Sequence, residues 1–558
     1  MFQITFSDGT VQKCPHPITG EELLRTFPVK SAAQIVAWHV NSFLRPLSWT
    51  VDSDAEVDWV DLTSMEGMNV YQSSLSFLLV MAADRVLGRQ IVVTNSISEG
   101  LFWIVGQRET DGVKDKSIPE ITAEQTDQIK AEMMRMVAED IPFKAELTPV
   151  DRAIQYFRSV GRLSKAKLLG IKMSTEPVEL AACGQYRDMY YSPLVPSTRY
   201  LKRFELSRLS PGVVLRFPTT LTPEKLPPYH PSKNLQKVFL EYAAWMRKLK
   251  VVNMVQIWDA VARDGGRELI LVSEALHARQ IADICSEFLS VPDHRVITIA
   301  GPSASGKTTT SHKLRVQLQV AEKRPVTLSL DDYFYDRDKS PRDADGNPDF
   351  ECLEALDLPQ LSDNLRDLLA GKTVQVPRFN FYTGRSTPGR TLKLGKDDVI
   401  IIEGLHGLND EIINMIPRER RFGIFLCPMT GINLDRHTRT STTDHRLLRR
   451  MIRDYSTRGN SPEETLASWP SVVRGAMKHV FPFQKNADAI FNSSLLYELP
   501  VMRVKAEILL RSVPDTSPFY GEALRLLRIL RDVPIIDPNY VPSNSLMREF
   551  IGGSIIEL

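Results

Sequence analysis

The chain has 558 residues, too many for one hydrophobic core, and at about 150 residues per domain three or four folding units are expected. Apolar residues make up 43% and charged residues 25% of the chain, and the formal charge is +1, which excludes a global electrostatic drive toward nucleic acid or anionic membrane. Five scattered cysteines with no CxxC pair argue against a disulfide framework or thiolate zinc site. No apolar run reaches the length of a membrane span, and "MFQITFSDGT" lacks the regions of a signal peptide, so a cytoplasmic location without a membrane partner is expected.

Residues 1–67 read as a small α+β unit. "QITF" alternates as a strand, Asp8-Gly9 is a hairpin turn signal, and "TVQKC" returns. Thr19 and Glu22 form a capping-box pattern before "ELLRTF", and "AWHVNSFLRPLSWTV" and "AEVDWVD" supply further strands; Trp38, Trp49 and Trp59 are expected in this small core. Over 68–217 a second α+β unit is expected. "YQSSLSFLLVMAADRVLG" (71–88) has helical spacing ended by Gly88, and "IVVTNSISEGLFWIV" reads as strand, turn and strand. A polar helix covers about 122–139. "DRAIQYFRSVGRLSKAKLLG" carries one long helical pattern, and strand-like segments fill 178–217.

The Pro-rich stretch "TTLTPEKLPPYHPSK" opens a linker and helical connector over 218–294, broken at Gly265-Gly266. From 295 to 500 strands and helices alternate, which predicts a parallel α/β sheet. Residues 501–558 read as a C-terminal helical extension docked on that domain. The expected fold class is therefore multidomain, α+β followed by α/β.

"AGPSASGKTTTS" (300–311) carries the chemistry. Its Gly301-x4-Gly306-Lys307-Thr308 spacing fits a phosphate-binding loop, with the strand "RVITIA" before it and a helix after it. Glycines let backbone N–H groups close around phosphate oxygens, and the helix N-terminus adds its positive end. Gly301, Ser303, Ser305, Gly306, Lys307, Thr308 and Thr309 are the expected nucleotide-binding residues, with Lys307 on the β and γ phosphates and Thr308 on Mg²⁺. Two strands end in acids, at Asp331-Asp332 and at Glu403-Gly404, and in an open parallel sheet such strand ends share one crevice. "HRLLRRMIRDYSTRGN" places Arg446, Arg449, Arg450, Arg453 and Arg458 on a helix running into a glycine turn, as a lid that neutralises phosphoryl charge.

With "GPSASGKTT", "LSLDDYF", "DFECLEALDLPQL", "VPRFNFYTGRS", "VIIIEGLHGL" and the arginine helix in this order, residues 295–500 resemble the uridine kinase and phosphoribulokinase family of P-loop kinases. The resemblance implies ATP and Mg²⁺ as cofactors and a small-molecule hydroxyl as acceptor. It implies Asp331 as acceptor-side base and metal neighbour beside Thr308, Glu403 as second metal-side carboxylate, and Arg450, Arg453 and Arg458 as lid charges. Phe334, Glu351, Phe379, Phe381 and Arg385 would face the acceptor. The departures fall on that acceptor side. The histidine of the family's nucleoside-binding segment is Gly384, the acid of its Asn-Phe-Asp segment is Glu351, and its Arg-Gly-Arg is Arg458-Gly459-Asn460.

The N-terminal half carries two further resemblances. Residues 1–67 resemble a TGS domain, a small β-grasp-like module, and residues 68–217 resemble the editing (second additional) domain of threonyl-tRNA synthetase. Aligned without gaps, the synthetase's two helix histidines fall on Gln72 and Ser76, and its cysteine and following histidine on Tyr190 and Leu194, which implies a retained fold without hydrolytic chemistry. RNA contact follows by association only, since the basic clusters "SVGRLSKAKLLGIK" and "RYLKRFELSR" also read as solvated faces. Two readings stand. One is an ATP-dependent kinase acting on a hydroxyl of a nucleoside-like small molecule; the other is an ATP-dependent RNA- or tRNA-binding regulator using the loop as a switch. A homo-oligomer is left open.

Overall fold

Thr19 accepts the Glu22 N–H and Glu22 accepts the Thr19 N–H at 2.9 Å, so the capping box does open a helix, Gly20–Thr26. The structure is a computed structural model and describes all residues except Pro28, Lys30, 98–99, 107–117, 172–175, 230–232, 343–348, 381–382, 430 and 557–558. The chain divides into two units. The first comprises Met1–Asp259, Gly431–Thr440 and Leu510–Pro534, and the second comprises Ala260–Thr430, Ser441–Leu509 and Ile535–Leu558.

The first unit begins with a five-stranded sheet ordered Val11–Cys14, Phe2–Phe6, Ala55–Asp61, Ile35–Val40 and Phe43–Pro46. Trp38 is fully buried and stacks on Trp59 with ring centroids 5.7 Å apart. Trp49 departs from the expectation of a core residue: it is exposed, and the Arg45 guanidinium lies 4.2 Å from its ring centroid. The next helix, Met65–Leu87, starts earlier than its apolar spacing suggests because Ser64 caps it, accepting the Gly67 N–H. It ends at Gly88, whose φ of +58° is the left-handed turn that glycine tolerates.

That helix packs into one apolar core with the sheet Glu205–Leu209, Gly212–Arg216, Gly100–Val105 and Ile91–Ile97. Ser76 and Leu194 are buried there, the Tyr190 ring lies 5.4 Å from that of Phe77, and Gln72 is half-buried. The single long helical pattern over 151–170 resolves into two helices, Val150–Ser159 and Leu163–Ile171. The break is Gly161, with φ of +72°, a conformation no continuous helix can contain.

A buried ion cluster ties distant parts of this unit together. Asp188, fully buried, meets Lys165, Arg162 at 3.2 Å and Nδ1 of His437 at 2.7 Å, while Lys165 also lies 3.4 Å from Asp435. Burial drives the His437 pKa well below the ordinary imidazole value, with Arg162 and Lys165 pushing the same way, so two cations face two carboxylates across a neutral ring. The segment 431–440 is further fixed by Asn433 Nδ2 donating to the Val93 carbonyl at 2.7 Å and by the Val93 N–H donating to the Arg436 carbonyl at 3.0 Å.

In the second unit strands and helices alternate around a parallel sheet. Its parts are strand β1 (Val296–Ala300), helix α1 (Lys307–Val320), β2 (Arg324–Ser329), helix α2 (Leu358–Leu369), the hairpin β3 (Thr373–Asn380) and β4 (Arg385–Lys393), β5 (Asp398–Gly404), β6 (Arg421–Cys427), helix α3 (Thr442–Thr457) and β7 (Ala489–Asn492). The sheet order is β2-β5-β1-β6-β7, with every pairing parallel. Both β1 and β5 are buried along their whole length, which is why they read as unbroken apolar runs. Register places Ser329, Glu403 and Ile299 in one row across β2, β5 and β1, so the acids near these strand ends reach the same edge of the sheet. The chain after residue 509 divides: Leu510–Pro534 joins the first unit and Ile535–Leu558 the second. Among the described residues no helix is long and apolar enough to cross a membrane.

Candidate active site

The loop between β1 and α1 is shaped by its small residues. A Cβ on Gly301 would lie 2.2 Å from the Leu426 carbonyl oxygen, so only glycine fits beside β6. Ala304 and Gly306 hold φ of +58° and +91°, which turns the loop back on itself before α1 starts. Strain of this kind in an alanine costs about 1–2 kcal/mol and persists where the surrounding structure imposes it. Ser305 and Thr309 are buried, Ser303 is half-buried, and Thr308 is exposed. The ammonium of Lys307 bends over the loop, donating to the Gly301 carbonyl at 3.0 Å and the Pro302 carbonyl at 3.4 Å.

Carboxylates converge on Lys307. Burial pulls its pKa down, and Glu403, Asp331, Glu351 and Glu549 oppose that shift through their charge. Glu403 is buried and accepts the Ser329 hydroxyl at 2.9 Å; burial, with Asp331 beside it, pushes its carboxyl up to about 7. Burial also raises Asp331, against the pull of Lys307, Arg458 and Arg453. Burial raises Glu351 too, although Arg450, Lys307 and Arg446 face it, and its Oε2 is buried with no hydrogen-bond partner among the described residues. Two adjacent carboxyls and the Thr308 hydroxyl are hard oxygen donors that suit a magnesium ion. Among the described residues no cluster of three or more His, Cys, Asp or Glu forms a closed cation cage.

The arginines of α3 and its C-terminal cap make two sets of contacts, which share Arg450. Arg446 Nε donates to the Ser303 carbonyl at 2.9 Å, and Arg450 Nη1 donates to the Ser303 hydroxyl at 2.8 Å, so this helix lies directly on the phosphate loop. Arg449 is fully buried, paired with Glu498, and points Nη1 at the Ala304 carbonyl at 3.3 Å. Arg450, Arg453 and Arg458 gather on one buried carboxylate, Asp454, at 3.2, 2.8 and 3.7 Å. Sequence reasoning passed over Asp454; its i, i+4 spacing from both Arg450 and Arg458 was the available signal.

The expected acceptor-side residues are scattered. Phe334 and Phe379 pack together in the apolar core under the hairpin, with ring centroids 5.6 Å apart, and Arg385 is exposed at the start of β4. Phe381 lies outside the described residues. Of this group only Glu351 stands among the charges around Lys307. Gly384, where the resemblance expects histidine, has φ of +68°, and a Cβ there would come within 2.9 Å of the Arg337 side chain. A cavity of about 530 Å³ is lined by Ser329, Asp332, Tyr333, Arg378 and Arg390 among others.

A glycine loop capped by α1, with acids at the ends of neighbouring parallel strands and an arginine helix across it, defines a phosphate-binding α/β domain of the P-loop type. Residues 296–497 match the sequence model of the Phosphoribulokinase / Uridine kinase family, so this part of the chain is similar to that family. Solved structures similar to this chain include one titled a possible uridine kinase from Bacillus stearothermophilus, 21% identical, covering 38% of this chain and 98% of that one with a TM-score of 0.27. Another is phosphoribulokinase from Rhodobacter spheroides, 17% identical, covering 37% and 74% with a TM-score of 0.25. The N-terminal half is similar to threonine–tRNA ligases. That of Aromatoleum aromaticum is 25% identical over 285 residues, 50% of this chain and 41% of the ligase. That of Acidithiobacillus ferrooxidans is 29% identical over 212 residues, 38% of this chain and 31% of the ligase. The chain thus spans less than half the length of these curated relatives.

Proposed function

We propose that this protein transfers the γ-phosphate of ATP to a hydroxyl of a nucleoside-like small molecule. The observation that carries the reading is the meeting of Lys307, Asp331 and Glu403 at one edge of the sheet, under arginines that touch the phosphate loop. In this reading the loop Gly301–Thr309 and α1 hold the triphosphate, and Lys307 leaves its loop carbonyls to meet the β and γ phosphates. Thr308, Asp331 and Glu403 would hold Mg²⁺, which supplies charge neutralisation on the phosphate oxygens. Asp331, raised by burial, takes the proton of the attacking hydroxyl. Arg450, Arg453 and Arg458 stabilise charge on the transferring group.

The test is ATP consumption by the purified protein across nucleosides, sugars and polyols, with Asp331→Asn in parallel. Stimulation by one acceptor that vanishes in the variant supports the reading. A second reading draws on the likeness to threonine–tRNA ligases: residues 1–67 and 68–217 act as TGS-like and editing-like modules that contact RNA in the cytoplasm. Under that reading RNA, not an acceptor, changes ATP affinity, and no compound in the panel stimulates turnover.

A further inference from the structure

The C-terminal segment brings a carboxylate to the phosphate loop. The Thr309 hydroxyl, in the first turn of α1 and buried, donates to Oε2 of Glu549 at 2.6 Å. The neighbouring Leu546 packs on the loop so closely that a Cβ on Gly306 would lie 2.7 Å from its side chain. Phe550 lies over the Arg449 guanidinium at 4.9 Å, and Arg449 in turn points at the Ala304 carbonyl. Farther along, Lys505 holds the Ile551 carbonyl at 2.7 Å, and Ser545 bonds both Glu274 and Tyr497.

Glu549 is half-exposed. The N-terminus of a helix favours an anion, and this one has an anion from its own chain. The charge of Glu549 is felt at both Lys307 and Glu403, in a crevice that already holds Asp331, Glu403 and Glu351. A phosphate entering this site meets a carboxylate already bonded to the hydroxyl beside it.

We propose that Glu549 is an internal anion competing with the nucleotide's phosphates for Thr309 and the start of α1, so that the segment Val541–Ile556 is a latch a triphosphate displaces. This rests on the nucleotide-binding reading of the loop. The experiment is calorimetric binding of ATP and of adenosine to the full-length protein, its Glu549→Gln variant and its Lys307→Ala variant. Hydrogen exchange of residues 541–556 is followed with and without ATP. Glu549→Gln is expected to tighten ATP binding roughly three- to tenfold, more at low salt, and to leave adenosine unchanged. ATP is expected to speed exchange in the segment of the unsubstituted protein. Equal or weaker ATP binding in Glu549→Gln, or an equal gain for adenosine, overturns the latch while Lys307→Ala still loses ATP. If ATP binds none of the three proteins, the nucleotide reading falls and the latch with it.

Discussion

Arg449 and Glu498 form an ion pair from which solvent is fully excluded: Nε lies 3.0 Å from Oε2, and neither side chain is exposed. Burial alone would raise the Glu498 carboxyl, but Arg449 and His445 hold it down to about 2. Removing one partner strands the other, so Glu498→Gln is expected to lower stability by about 3–5 kcal/mol in denaturant titrations at pH 7. The depressed value also fixes a pH signature. The stabilisation is complete above the ordinary carboxyl range near 4.5 and fades as pH falls toward about 2. The variant should therefore show a shallower acid transition than the unsubstituted protein.

Glu403 carries the opposite sign. With its carboxyl pushed up to about 7, it is protonated on the acid side of that value, and the charge it offers a divalent cation grows as pH rises. Half-maximal turnover at pH 6 should need about tenfold more Mg²⁺ than at pH 8. Glu403→Gln should raise the requirement throughout and flatten its pH dependence, as read by Mg²⁺ titrations of rate at several pH values. The same group costs folding stability as well: the cost grows as pH rises from about 4.5 to about 7, where the folded chain keeps a proton that the unfolded chain has released, and is full above about 7.

Asp454 is the shared anchor of three arginines and is itself fully buried. Asp454→Asn keeps the shape and removes the charge. Misplacement of a positioning group by about 1 Å can cost two orders of magnitude in rate, and a fall of about 10- to 100-fold in kcat is expected, with a smaller change in nucleotide affinity. Steady-state kinetics well below the melting temperature check this. A variant that only melts earlier, with normal kcat, would leave Asp454 a structural residue.

Local patterns were legible and distant approaches were not. The phosphate loop, the capping box at Thr19 and the buried strand Asp398–Gly404 were readable because each depends on residues a few positions apart. The helix break at Gly161 was missed because apolar spacing on both sides of it is in phase. Glu549 was invisible because it meets Thr309 across 240 residues of sequence. Gly384 shows a further limit: the missing histidine was plain in the sequence, but its physical reason, a left-handed backbone under Arg337, is a fact of three dimensions.

The cluster around Asp188 has a consequence for inheritance. Arg162, Lys165 and Asp188 come from the first half of the chain, and Asp435 and His437 come from a loop nearly 250 residues later, immediately before the arginine helix. A gene fragment ending at residue 259 would encode two of those buried cations with one carboxylate, without Asp435 and His437. The fold of the N-terminal half therefore draws on residues 431–440, and a chain cut at 259 lacks the partners that Lys165 and Asp188 have there.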